Sequence, residues 1–173
     1  MPKLTPAVNS RDHVQGDEKA KIELVEYGDF QCPHCKRAHP VLKNIQRQLG
    51  KRLRFVFRHF PLTNAHPYAM SAAVAAEAAS IEGKFWEMHD LIFERQDELS
   101  DGIFTDWAQE LALNSREFSK HLRDAELKER VQSDFESGIR SGVNGTPSLF
   151  INGRKYEGMV DEEELLNALL EMA

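Results

Sequence analysis

Cysteine is scarce in this chain of 173 residues, with two in all, so the fold is not stapled by a framework of disulfides. An excess of positive charge is missing too: 22 lysines and arginines stand against 28 aspartates and glutamates, for a net charge of -6. That balance argues against a nucleic-acid or anionic-membrane partner. The one basic cluster is Lys51, Arg52, Arg54 and Arg58, whose last three members alternate with Leu53, Phe55 and Phe57. They read as the solvated side of a strand. Long apolar runs are absent from Met1 to Ala20, which predicts neither a signal peptide nor a membrane anchor and hence no membrane insertion. As written, the chain is expected in the cytoplasm; the alternative is a periplasmic or extracytoplasmic protein with its leader removed. Phosphate-binding glycine loops, His-Glu-x-x-His and Gly-x-Ser-x-Gly are all lacking, as are internal repeats and low-complexity stretches.

What is present is ordinary for a soluble globular protein: 41% hydrophobic and 29% charged residues, enough for one core with room for an inserted subdomain. Residues 1–19 are polar and contain Pro2, Pro6 and Gly16, the pattern of a loosely held arm. Residues 21–27 alternate with period two and read as a strand, broken at Gly28-Asp29-Phe30-Gln31. A helix follows over 33–49, with Pro33 suited to its first position, Pro40 inside it as a kink, and Gly50 as its stop. Leu53, Phe55, Val56 and Phe57 then give a second strand over 52–60, completing a β-α-β unit with parallel pairing. From 66 to 142 no strand signal occurs, and three to five helices are expected around an apolar stripe that includes Phe85, Trp86 and Met88. Residues 147–151, the turn Asn152-Gly153 and residues 154–159 predict a hairpin, and Asp161 opens a terminal helix. The division expected is an arm (1–19), the first half of an α/β domain (20–65), a helical insertion (66–142) and the second half of that domain (143–173).

The two cysteines fall in Cys32-Pro33-His34-Cys35, where a strand gives way to a helix. Thiols at this spacing can close and reopen a disulfide, and a sulfur at a helix N-terminus is favoured as the thiolate. His34, when protonated, would add positive potential beside Cys32. A stabilised thiolate is a good leaving group, which makes the corresponding disulfide an oxidant. Cys35, one turn into the helix, is the expected resolving thiol. The plainer alternatives are inert thiols or a structural zinc, which would need two further ligands from histidine or carboxylate. Glu26 lies six residues before Cys32; on a central strand it would sit beneath the motif and shuttle protons to Cys35, whereas on an edge it is an outward glutamate. Pro147, entering a strand after Gly145-Thr146, is a candidate cis peptide, which would turn the Thr146 backbone toward an extended peptide. His59, His66 and His89 read as satisfied core or surface residues.

Taken together, these residues resemble the DsbA-like disulfide oxidoreductases of the thioredoxin superfamily over residues 12–173. The likeness rests on Val25-Glu26-Tyr27-Gly28-Asp29-Phe30, Cys32-Pro33-His34-Cys35, Pro40, Phe85-Trp86-Glu87-Met88-His89 and Gly145 through Gly153. It implies a thioredoxin-like α/β fold, β-α-β, helical insertion, β-β-α. It also implies thiol–disulfide exchange without cofactor or metal, most readily as an oxidant; the alternatives are a cytoplasmic reductase or isomerase and a redox-switched binding module. Catalysis would then fall to Cys32, Cys35, His34, Pro33 and Glu26, and substrate binding to Thr146 and Pro147. The implied partners are protein or peptide thiols and disulfides, together with a redox partner protein or small thiol.

Overall fold

The computed structural model describes residues 1–172. Five strands are formed: β1 (His13–Gly16), β2 (Ile22–Gly28), β3 (Leu53–His59), β4 (Ser148–Ile151) and β5 (Arg154–Tyr156). The helices are α1 (Pro33–Leu49), α2 (Ala69–Ser80), α3 (Phe85–Glu94), α4 (Ile103–Glu110), α5 (Ser115–His121), α6 (Ala125–Arg140) and α7 (Glu162–Glu171). The strands make one sheet in the order β1-β3-β2-β4-β5, parallel between β2 and β3 and antiparallel elsewhere. Apart from β1, the α/β order read from the sequence is the order observed, with all five helices α2–α6 between β3 and β4. Among the described residues, no helix is long and apolar enough to cross a membrane.

Strand alternation divides the core in two. Leu24, Phe55, Phe57, Leu149 and Ile151 join the larger cluster, with Leu42 and Ile45 of α1, Met88 and Phe93 of α3, and Leu165 and Leu169 of α7. Val25, Tyr27, Val56 and Phe150 face the other way, with Leu4, Phe60 and Val143. Burying each such side chain contributes about 1.5–3 kcal/mol. α6 lies very close to this second face: a Cβ on Gly138 would come within 2.6 Å of the Phe60 ring. The hairpin turns as its Asn-Gly pair requires, with φ of 47° at Asn152 and 82° at Gly153. Asp161 caps α7 by accepting the Glu164 N–H, and α1 runs unbroken through Pro40 from Pro33 at its start to Gly50 at its end.

Three expectations are corrected. The N-terminal arm is held rather than loose: β1 adds to the sheet beside β3, and Leu4 is buried. The return strand β5 stops at Tyr156, three residues short of its expected end. Arg58, read as solvated, is 2% exposed. Its Nε and Nη2 donate to the two oxygens of Asp12 at 2.8 and 2.9 Å, and its Nη1 donates to the Tyr27 hydroxyl at 2.9 Å. Alternation within a strand cannot reveal a buried cation whose counter-ion arrives from another segment. Arg52 is exposed but lies in the turn before β3, and Arg54, half-buried, pairs with Glu23.

Candidate active site

β2 is the middle strand, so Glu26 has neighbours on both sides: Phe57 on β3 and Leu149 on β4. It shares the face of Leu24 and is 2% exposed. Gly28 helps make room for it, because a Cβ there would lie 3.1 Å from Glu26 Oε1 and 2.5 Å from the Phe57 ring. Burial first, and then the negative Cys32 sulfur, push the Glu26 carboxyl up to about 8.

After Gly28 the chain turns through residues 29–32 and enters α1 at Cys32, its N-cap, with Pro33 following. Both cysteines are free thiols, 3.9 Å apart. Cys32 is 3% exposed and Cys35 fully buried. A hydrogen bond from the Cys35 thiol does most to lower Cys32, against the cost of burial. The backbone N–H groups of Cys35 and His34 help, and the result is about 5. Cys35 is pushed the other way, chiefly by burial and then by serving Cys32 as its donor and by the nearby Glu26 charge. Its sulfur still accepts one bond, from the Asp29 N–H at 3.5 Å. One low and one high thiol at hydrogen-bond distance is the asymmetry that thiol–disulfide exchange uses.

Thr146–Pro147 is a cis peptide, and the Cys32 Sγ lies 3.6 Å from the Thr146 carbonyl. The hairpin therefore meets the helix N-terminus although 114 residues separate them in the chain. Beside them an open groove of about 520 Å³ is lined by His34, Arg37, Ala38, Thr146, Pro147, Met159 and Val160. Met159 is 68% exposed there, an apolar side chain on the rim. His34 lines this groove. Its Nδ1 accepts a hydrogen bond from the Arg37 guanidinium, which adds its own positive charge beside the motif.

The sequence reading missed the residues that hold the loop. Asp29 is 1% exposed; its Oδ1 accepts the N–H groups of Gln31 (2.7 Å) and Cys32 (3.2 Å), and its Oδ2 accepts Leu62 N–H and His66 Nδ1, both at 2.8 Å. Gln96, in a short turn after α3, donates to the carbonyls of Phe30 and Cys32 at 2.8 and 2.9 Å. Asp29 carried a weak signal as an aspartate in a turn; Gln96, far along the chain, carried none. His66 is thus tied to Asp29, His59 Nε2 to Glu77 and His89 Nδ1 to Asp90. Among the described residues, neither cysteine belongs to a group of three or more metal-ligating side chains.

Comparison with known proteins follows from this geometry. A family model described as thioredoxin matches residues 8–171. The Na(+)/H(+) antiporter NhaA 3 of Salinispora tropica is 41% identical over 167 residues, which is 96% of this chain but 26% of the antiporter. An NhaA antiporter of Herminiimonas arsenicoxydans is 38% identical over 91% of this chain and 25% of its own length. The chain thus spans about a quarter of the curated relatives it matches. Among solved structures, the thiol-disulfide exchange protein alpha-DsbA2 from Wolbachia pipientis superposes with a TM-score of 0.84 at 21% identity, covering 95% of this chain and 89% of that one. BdbD from Bacillus subtilis gives 0.82 at 22% identity, covering 94% and 92%. At these identities the likeness is one of fold.

Proposed function

The chain belongs to the thioredoxin family and has the fold of the DsbA-like proteins, and from that premise we propose that it exchanges disulfides with protein or peptide thiols through Cys32 and Cys35, as an oxidant. The observation that carries this reading is the unequal setting of the two sulfurs: Cys32 at the N-cap of α1 beside the cis Thr146–Pro147 peptide, 3.9 Å from a fully buried Cys35. A substrate thiolate attacks Cys32 Sγ of the disulfide, the Cys32–Cys35 bond breaks, and Cys35 leaves with the electron pair. Glu26 supplies the proton that Cys35 takes up. A second substrate thiolate then attacks the substrate sulfur of the mixed disulfide, and Cys32 leaves as the stabilised thiolate. The substrate is oxidised by two electrons and the pair is reduced. A disulfide-bearing redox partner or small-molecule disulfide restores it by the reverse steps. No cofactor enters.

The backbone of Thr146 and Pro147 offers an extended peptide its pairing edge, with Met159 and Ala38 giving apolar contact and Arg37 a charge. The test is Cys32→Ser, assayed by insulin reduction and by oxidative refolding of a reduced protein. Loss of both activities is expected, and undiminished turnover overturns the mechanism. One observation favours a second reading, a redox-switched binding module: the curated relatives are ion antiporters of which the matched part is a quarter. Saturable binding to one membrane transport protein, with poor turnover on generic substrates, would select it.

A further inference from the structure

A second cluster of reactive side chains lies away from the cysteines. His13 on β1, His59 at the end of β3 and Glu77 in α2 come together from three elements. The Nε2 atoms of His13 and His59 lie 2.6 and 2.8 Å from the same atom, Glu77 Oε2. Their side chains are 17%, 1% and 5% exposed. We infer that His13, His59 and Glu77 form a binding site for a divalent transition-metal cation of the zinc class.

The donor set fits. Two imidazole nitrogens and one carboxylate oxygen suit zinc, cobalt, nickel or ferrous iron, and three protein ligands leave a position for water. Glu77 Oε2 faces both imidazole nitrogens at once, so a single carboxylate oxygen completes the set. Its other oxygen, Oε1, lies 3.8 Å from Arg130 Nε, which orients the carboxylate from behind. The Nδ1 of His59 is buried without a partner. Without a cation Nε2 donates to Glu77, and a cation that takes Nε2 displaces that proton to Nδ1 or to solvent. Ligands about 2.0–2.1 Å from a tetrahedral metal stand farther apart than hydrogen-bonded atoms, so the cluster must widen by roughly half an ångström. His13 can supply that movement. It sits on the edge strand, and its ring lies parallel to Phe85 at 3.6 Å, where sliding in plane keeps the stack.

A second group, His39, His89 and Asp90, also brings ligand atoms within 4.8 Å of one another. It is the poorer site for a cation. Lys43 Nζ occupies Asp90 at 2.7 Å, and the adjoining cleft is lined by Lys36, Lys43 and Arg47.

The test uses the full chain carrying Cys32→Ser and Cys35→Ser, which removes the thiols as competing ligands. Cobalt(II) titration followed by visible absorption is expected to saturate at one equivalent, without thiolate charge-transfer bands, and zinc(II) is expected to displace the cobalt. Glu77→Gln keeps an acceptor for both imidazoles but loses the anionic ligand, and should weaken binding at least about 10-fold. Should that variant fail to fold, His13→Ala on the edge strand is the equivalent test, while His39→Ala should bind as before. Absence of cobalt binding, or binding that persists in His13→Ala and Glu77→Gln, overturns the site.

Discussion

At the scale of single residues, the chemistry reduces to opposed titrations in one small volume. With Cys32 near 5, its alkylation rate should rise through about pH 5 and level off above it, while Cys35 in the folded protein stays unreactive. Because the Cys35 thiol is the largest cause of the lowering, Cys35→Ala should move that midpoint upward; thiolate absorbance against pH measures it, and an unmoved midpoint contradicts the assignment. Glu26 works in the opposite sense. Its folded value lies above its ordinary one, so its contribution to stability is full below 4.5 and is lost as pH rises through about 8. The depressed Cys32 adds stability as pH rises above about 5. Between about pH 5 and 8 the two slopes oppose each other in the reduced protein. Glu26→Gln removes one of them, and reduced-state stability should then rise more steeply with pH than in wild type across that window. Denaturant melts at several pH values decide this, and a profile parallel to wild type would remove Glu26 from the account.

At the scale of elements, the active site is a loop held from outside. The sequence announced the loop itself, because two cysteines at helix-start spacing, Pro33, and a Thr-Pro entering a strand each have a local signature. Glu26 was legible only conditionally, since its role depends on whether β2 is central, and that follows from pairing rather than from spacing. The struts were not legible: Gln96 and the Asp29–Leu62 and Asp29–His66 bonds join segments far apart in the chain. The same limit hid β1 and the Asp12–Arg58 pair, whose partners come from a polar segment with no strand pattern of its own. Two measurements address this level. Gln96→Ala strands the Phe30 carbonyl and leaves the Cys32 carbonyl with the Lys36 N–H alone, should cost about 1–3 kcal/mol, and should slow exchange by letting Cys32 drift. Gly138→Val, remote from the sulfurs, drives a side chain into Phe60 and Tyr27 and should cost at least about 1–3 kcal/mol while leaving the Cys32 midpoint where it was. If both variants shift that midpoint equally, the loop is not specifically braced by Gln96.

At the scale of the whole molecule, a Cys32 thiolate stabilised only in the native state should make folding favour the reduced protein. The native state stabilises the Cys32 thiolate through the Cys35 thiol and the α1 N-terminus, and the unfolded chain keeps neither. Linkage then makes the disulfide form the less stable one, so reduction should raise the denaturation midpoint rather than lower it, the reverse of what a structural disulfide does. The sheet brings the pieces together: β2 carries Glu26 and leads into the cysteines, and β4 begins directly after Thr146–Pro147 beside it. The most direct measurement is the reduction potential of the Cys32–Cys35 pair, equilibrated against glutathione buffers and read by thiol trapping. An oxidising value near about -120 mV is predicted, and a value near about -270 mV would contradict the account.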